Sequence, residues 1–221
     1  MKTPLRTISR TVRAGFTLVE LLAVILIIGI LATFLLPKIP EVIDSANVTA
    51  CKANMKEIGN GLMLYRGKHG GIPKAGGAQF LATLVAKEIW DATEVSTKRL
   101  TCPGVELDFL TPSQDEIPLA DWYTELDRVD GGWTSYAARD TRRFPIRKLE
   151  GKNVGKEVLV ADDNDPDGNH RTTTVALYAD FSVRTIEIVE ERDLGDATSE
   201  DEFVIVGPDA WREDLRKLSL E

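Results

Sequence analysis

Cysteine and histidine are scarce in this sequence: Cys51, Cys102, His69 and His170 are the whole supply in 221 residues. Two cysteines exclude a disulfide-dense scaffold and an all-cysteine tetrahedral zinc site. Two histidines leave little material for His-rich metal chemistry. The sequence contains no G-x-S-x-G, no H-E-x-x-H and no Walker loop, so the common hydrolase, zinc-peptidase and nucleotide-binding signatures are missing. Positive charge is also short. Lys and Arg number 27 against 35 Asp and Glu, a net charge of −8, which argues against a nucleic-acid binder needing clustered cations to displace counterions. With 43% hydrophobic and 28% charged residues, the chain is neither a disordered tail nor a polytopic membrane protein. Its length suits one medium domain with accessories, or two very small ones.

The charge is unevenly placed. Lys2, Arg6, Arg10 and Arg13 give residues 1–15 a charge of +4 with no acid, which leaves −12 on the rest. A basic head before an acidic body is a targeting pattern. Residues 16–36, FTLVELLAVILIIGILATFLL, follow at once. As a helix these 21 residues extend about 31 Å, enough to span the hydrocarbon core of a bilayer. The preceding cations predict a cytoplasmic N-terminus. A cleaved signal peptide would have a shorter apolar run and a small-residue cleavage site. A plain single-pass anchor leaves Glu20 unexplained, because a carboxylate inside a membrane helix costs about 2–3 kcal/mol unless paired or protonated.

Residues 13–22, Arg-Ala-Gly-Phe-Thr-Leu-Val-Glu-Leu-Leu, resemble the cleavage and methylation motif of type IV pilins and type II secretion pseudopilins. The resemblance is dense over residues 13–36. It implies cleavage between Gly15 and Phe16 by a prepilin peptidase and N-methylation of Phe16. It also implies that Glu20 forms an assembly salt bridge with the Phe16 ammonium of a neighbouring subunit. The physics agrees: an isolated subunit leaves one cation and one anion unpaired in low dielectric, and a staggered neighbour neutralises both. The pair would then set register while the apolar helix faces supply the attraction.

Pro37 closes the apolar run and predicts a helix kink; a proline here is common in the resembled family. Beyond it, Val48, Cys51, Met55, Ile58, Leu62 and Tyr65 recur at helical spacing and form one apolar face. One long helix is predicted from about Phe16 to about Tyr65, stopped by Gly67, Gly70 and Gly71. A second helix is predicted over 78–90. Residues 101–121 read as irregular, and strands are predicted at 156–161, 174–179, 182–189 and 203–206. Asp180 falls at a hairpin tip, and 211–220 reads as a short terminal helix. The fold class is α+β: a long N-terminal helix, membrane-spanning in its first half, packed against a small antiparallel β-sheet head. The expected divisions are a leader at 1–15, an assembly helix at 16–36, its amphipathic continuation at 37–68 and a head at 69–221.

A second resemblance, to some larger bacterial pseudopilins, rests on Cys51-Lys52-Ala53-Asn54-Met55-Lys56, Cys102-Pro103, Asn169-His170-Arg171 and Leu177-Tyr178-Ala179-Asp180-Phe181-Ser182-Val183. Phe181-Ser182 departs from the Gly-His of that pattern. With the head outside the cytoplasm, a Cys51–Cys102 disulfide is expected. It would close a loop of about 50 residues and contribute about 3–4 kcal/mol; the alternative is two separately buried thiols. Asp163, Asp165, Asp167 and Gly168 match the first half of a calcium loop, but Thr174 stands where an EF-hand needs Glu. A solvated turn accounts for this loop; a looser Ca²⁺ site at Asp163, Asp165 and Asp167 stays open as what the resemblance implies, since related major pseudopilins hold calcium in a late loop. His170 is expected to bond a loop backbone, and the acidic run from Glu187 to Glu202 to form a solvated face. The four tryptophans, Trp90, Trp122, Trp133 and Trp211, are expected to be core or interface anchors.

The sequence therefore reads as a non-enzymatic subunit of a type IV pilus-like filament, foremost a type II secretion pseudopilin. Its partners would be the prepilin peptidase, other pilin or pseudopilin subunits and an inner-membrane assembly platform. It would sit in the bacterial inner membrane as a single pass, with a periplasmic or extracytoplasmic head. Two alternatives stay open: a minor tip or DNA-uptake pilin, and a membrane-tethered binding module that never polymerises.

Overall fold

Leu18 to Leu35 form α1, an 18-residue helix without a single buried residue. Its apolar side chains point outward all round, as in a helix whose solvent is lipid or other apolar helices. The computed structural model describes residues 16–146, 154–162, 169–195, 197–199, 201 and 203–220. The chain divides between Val42 and Ile43 into two compact units, so most of the predicted amphipathic continuation belongs with the head. Pro37 sits in a 3₁₀ turn, Leu36–Lys38, that interrupts the α-helical ladder. Helix α2 then runs Ile39–His69, with Pro40 at its second position, where no N–H is needed.

In the second unit, α2 buries Cys51, Met55, Ile58 and Leu62, the predicted stripe, together with Gly59 and Gly61. The glycines allow close packing: a Cβ on Gly61 would lie 3.0 Å from Trp90 Cζ2 and 3.1 Å from Leu84 Cδ1. Helix α3, Gly77–Ala86, buries eight of its ten residues. It ends four residues before the predicted limit. The chain turns back there, Glu88 taking φ +54° while the Ile89 and Trp90 N–H groups both donate to the Leu84 carbonyl. Short helices α4 (Glu94–Arg99) and α5 (Thr111–Gln114) are separated and followed by 3₁₀ turns, matching the irregular composition of 101–121.

The sheet has strands β1 (Tyr136–Arg139), β2 (Val158–Asp162), β3 (Thr173–Tyr178), β4 (Val183–Glu187) and β5 (Leu218–Ser219). Their order is β4-β3-β2-β1-β5, and all the pairings are antiparallel. Side chains alternate between two clusters. Tyr136, Val175 and Leu177 join the cluster containing the α2 and α3 stripes, whereas Ala137, Ala176 and Tyr178 join one formed with Ile188, Val204, Ala210 and Leu215. A register shift between Val158 and Val160 puts Leu159 and Val160 together on the helix side.

The second cluster explains three differences from the sequence reading. Phe203–Val206 is not a strand and 211–220 is not a helix; both belong to an irregular C-terminal segment that covers the sheet's other face. Its last residues, Leu218–Ser219, pair with β1. The predicted strand 182–189 ends at Glu187, where helix α6, Ile188–Leu194, begins. Within α6, Glu191 is buried rather than solvated and its Oε1 lies 2.7 Å from Arg212 Nη1.

Candidate functional site

Two groups of residues carry chemistry. The first lies at the start of α1. Thr17 is its N-cap and makes a reciprocal capping box with Glu20. The Thr17 N–H and hydroxyl donate to Glu20 Oε2 at 2.8 and 2.7 Å, and the Glu20 N–H donates to Thr17 Oγ1 at 3.2 Å. The cap satisfies otherwise orphaned N–H groups and fixes the Glu20 carboxylate at the helix start. Phe16 precedes it and is exposed. Gly15 lies outside the described residues, as do Asp163, Asp165 and Asp167.

The second group is inside the head. Cys51 comes from α2, Cys102 from the turn after α4, Asp162 from the end of β2 and His170 from the segment entering β3. All four are buried, and one ligand atom from each lies within 4.8 Å of every other. The Cys51 thiol donates to Asp162 Oδ1 at 2.8 Å. Cys102 Sγ is 3.4 Å from His170 Nε2, and that nitrogen is 3.3 Å from Asp162 Oδ2. Asp162 Oδ2 also accepts the Val175 N–H at 3.0 Å. The Gly104 N–H donates to Cys102 Sγ at 3.4 Å, and Tyr136 Oη stands 3.5 Å from Cys51 Sγ. The sequence left this cluster unassembled. His170 bonds a carboxylate and a thiol rather than loop backbone. Cys51 and Cys102 are free thiols, not the expected disulfide.

The backbone is shaped to this cluster. The Cys102 N–H donates to Ser135 Oγ at 2.7 Å, and Asn169 Nδ2 donates to the Ser135 carbonyl at 2.7 Å. Both segments therefore hang on the residue just before β1. Gly104 is required by proximity, since a Cβ there would lie 2.0 Å from the Asn169 carbonyl oxygen. His170 Nδ1 is buried and makes no hydrogen bond; it faces Asp44 Oδ1 of α2 at 3.5 Å.

Burial raises the Cys51 pKa above the usual thiol range, and neighbouring Cys102 and Asp162 push it the same way. A hydrogen bond from Cys51 lowers Cys102 most; burial opposes this, His170 assists, and the thiol settles at about 7. Burial would depress His170, yet the hydrogen bonds to Asp162 and Cys102 outweigh it and lift the imidazole to about 10.

Comparison with known proteins bears on the N-terminal group. Residues 10–36 match the family described as "Prokaryotic N-terminal methylation motif". Over 57 residues the chain is 39% identical to "Type II secretion system core protein G" of Pseudomonas aeruginosa, covering 26% of this chain and 40% of that protein. The chain thus spans less than half the length of the relative it matches. No solved structure matches. Among the described residues, one helical segment, near the N-terminus and within Leu18–His69, is long and apolar enough to cross a membrane. The chain carries a prepilin-type methylation motif that opens this apolar helix, on an α+β fold, and it is similar in sequence to a type II secretion protein.

Proposed function

We propose that the protein is a structural subunit of a type IV pilus-like filament, most specifically a type II secretion pseudopilin. The observation that carries this reading is the methylation motif at residues 10–36, continuous with an α1 that buries none of its residues within the chain. Thirteen exposed Leu, Ile, Val and Phe side chains on α1 need an apolar surrounding, which a bilayer supplies before assembly and neighbouring α1 helices supply after it. On this reading Gly15–Phe16 is the cleavage site and the Phe16 amine the methylation site, with the prepilin peptidase as the processing partner; the motif match at residues 10–36 supports it. The four cations before the apolar run support a cytoplasmic N-terminus with the head on the other side of the membrane.

In the processed chain the capping box keeps the Glu20 carboxylate one helical turn from the new terminus, presented to the ammonium of an adjoining subunit. Force for extraction from the membrane comes from another chain, since the sequence carries no nucleotide loop. Intact-mass and N-terminal sequence measurements on protein isolated from membranes test the processing step, with an N-methylphenylalanine start at residue 16 expected. Material that begins at Met1 in cells with an active peptidase would overturn the reading. Glu20→Ala is expected to abolish filament formation while leaving membrane insertion intact. A variant that assembles like wild type would remove the salt-bridge step, and wild-type protein that never polymerises would favour a tethered module instead.

A further inference from the structure

We propose that Cys51, Cys102, Asp162 and His170 hold one zinc ion that staples the long helix to the sheet. The four residues offer two thiolate sulfurs, one imidazole nitrogen and one carboxylate oxygen, a donor set suited to a borderline-soft, tetrahedral cation. Zinc–ligand bonds of about 2.0–2.3 Å put the ligand atoms of a tetrahedron about 3.3–3.8 Å apart. The distances of 3.4 Å from Cys102 Sγ to His170 Nε2 and 3.3 Å from His170 Nε2 to Asp162 Oδ2 already match. The 2.8 Å approach of Cys51 Sγ to Asp162 Oδ1 opens slightly when the ion replaces the thiol proton between them.

The surroundings are those of a metal site. His170 turns Nε2 toward the other three ligands and Nδ1 toward Asp44, the carboxylate–histidine–metal arrangement that fixes tautomer and ring orientation. In that tautomer Nδ1 carries the proton, which gives this otherwise unpartnered buried atom a role. The Gly104 N–H and the Tyr136 hydroxyl flank the two sulfurs, and the Val175 N–H satisfies Asp162. These donors offset the net −1 of two thiolates and a carboxylate around Zn²⁺. Binding releases to solvent the protons held on the two sulfurs and on His170 Nε2, and involves no change of redox state.

A disulfide would account for the two sulfurs but would leave Asp162 and His170 facing each other in the core without a reason for their shared focus. A catalytic thiol is also a poor fit. Both cysteines and His170 are at most 2% exposed, and four protein ligands leave no open position, the mark of a structural rather than a catalytic zinc site. Because the ligands come from α2, the turn after α4, β2 and the entry to β3, one ion ties together segments 119 positions apart in the chain. Its energy would add directly to the head's folding free energy.

The test uses the full chain purified in detergent under reducing conditions without chelators. About one zinc per chain by elemental analysis is expected. Cobalt exchanged into the same protein should give a thiolate-to-metal charge-transfer band and the strong visible bands of tetrahedral coordination. Cys102→Ser should lose these bands, and His170→Cys should retain them in shifted form, which separates ligand loss from misfolding. Asp44→Asn, a positioning change, should weaken zinc 10–100-fold in a chelator competition. Peptide mapping that finds Cys51 and Cys102 bridged in freshly isolated protein would overturn the proposal. So would reduced, folded protein that takes up neither zinc nor cobalt. Neither result bears on processing at Phe16, so this inference and the filament reading stand or fall separately.

Discussion

Gly104 shows how narrowly single positions are set in this head. Its N–H reaches Cys102 Sγ, and its missing side chain lets the Asn169 carbonyl sit where a Cβ would be. Gly104→Ala must push apart the two segments that deliver Cys102 and His170. Overpacking of this kind costs about 1–3 kcal/mol, so urea denaturation should show a lower midpoint with little change in slope. A midpoint equal to wild type would mean the segments yield freely. Phe181 is the opposite case. It adopts φ +62° at the hairpin tip, a region that favours glycine, and it occupies the place where the resembled pattern has Gly. The sequence signalled that departure, but not that Phe181 packs against the core cluster as compensation.

At the scale of elements, helices with strong periodicity were legible and short or irregular pieces were not. The α2 stripe could be read because 3.6-residue spacing persists over five turns. Strand β1, Tyr-Ala-Ala-Arg, was missed because two alanines and a buried arginine carry no alternation signal. The terminal segment misled for a physical reason: Trp211, Leu215 and Leu218 recur at helical spacing, yet Trp211 and Leu215 pack on the sheet face from a bend and a turn while Leu218 belongs to β5. The cluster of Cys51, Cys102, Asp162 and His170 was out of reach because topology alone brings its members together. The one available hint was that three of them fall in the short runs shared with larger pseudopilins.

One link between elements sets a pH response. Arg139 of β1 places Nη1 2.6 Å from Glu157 Oε2, and Lys217 places Nζ 3.0 Å from the same oxygen. Burial alone would raise the Glu157 pKa; the hydrogen bonds from Lys217 and Arg139 outweigh it and hold the carboxyl below the usual range. A depressed folded pKa means the contribution is complete above the unfolded value of about 4.3 and is lost as pH falls through the lower folded value. Glu157→Gln should therefore be less stable than wild type at neutral pH, with the gap in melting temperature closing below about pH 4. A gap that stays constant from pH 7 to pH 3 would show that the ion pairs contribute nothing.

For the molecule as a whole, the residues of the proposed assembly and the folded core fall in different units of the chain. Phe16, Glu20 and all of α1 lie before the Val42–Ile43 division, and both hydrophobic clusters lie after it. Substitutions in the two units should consequently have separable effects. Leu215 is fully buried on the sheet face covered by the C-terminal segment. Leu215→Ala removes buried methyl groups and leaves a cavity, at a cost of about 2–5 kcal/mol. It should lower the head's melting temperature and speed limited proteolysis near the C-terminus, while peptidase cleavage at Gly15–Phe16 continues at the wild-type rate. Glu20→Ala should do the reverse, leaving the melting curve unchanged and preventing assembly, because among the described residues its carboxylate hydrogen-bonds Thr17 at the start of the same helix. Measuring cleavage, assembly and melting on both variants decides the point. If Leu215→Ala blocked cleavage, or Glu20→Ala shifted the melting curve, the processing signal and the head would be coupled, and the filament mechanism would have to include the head's fold.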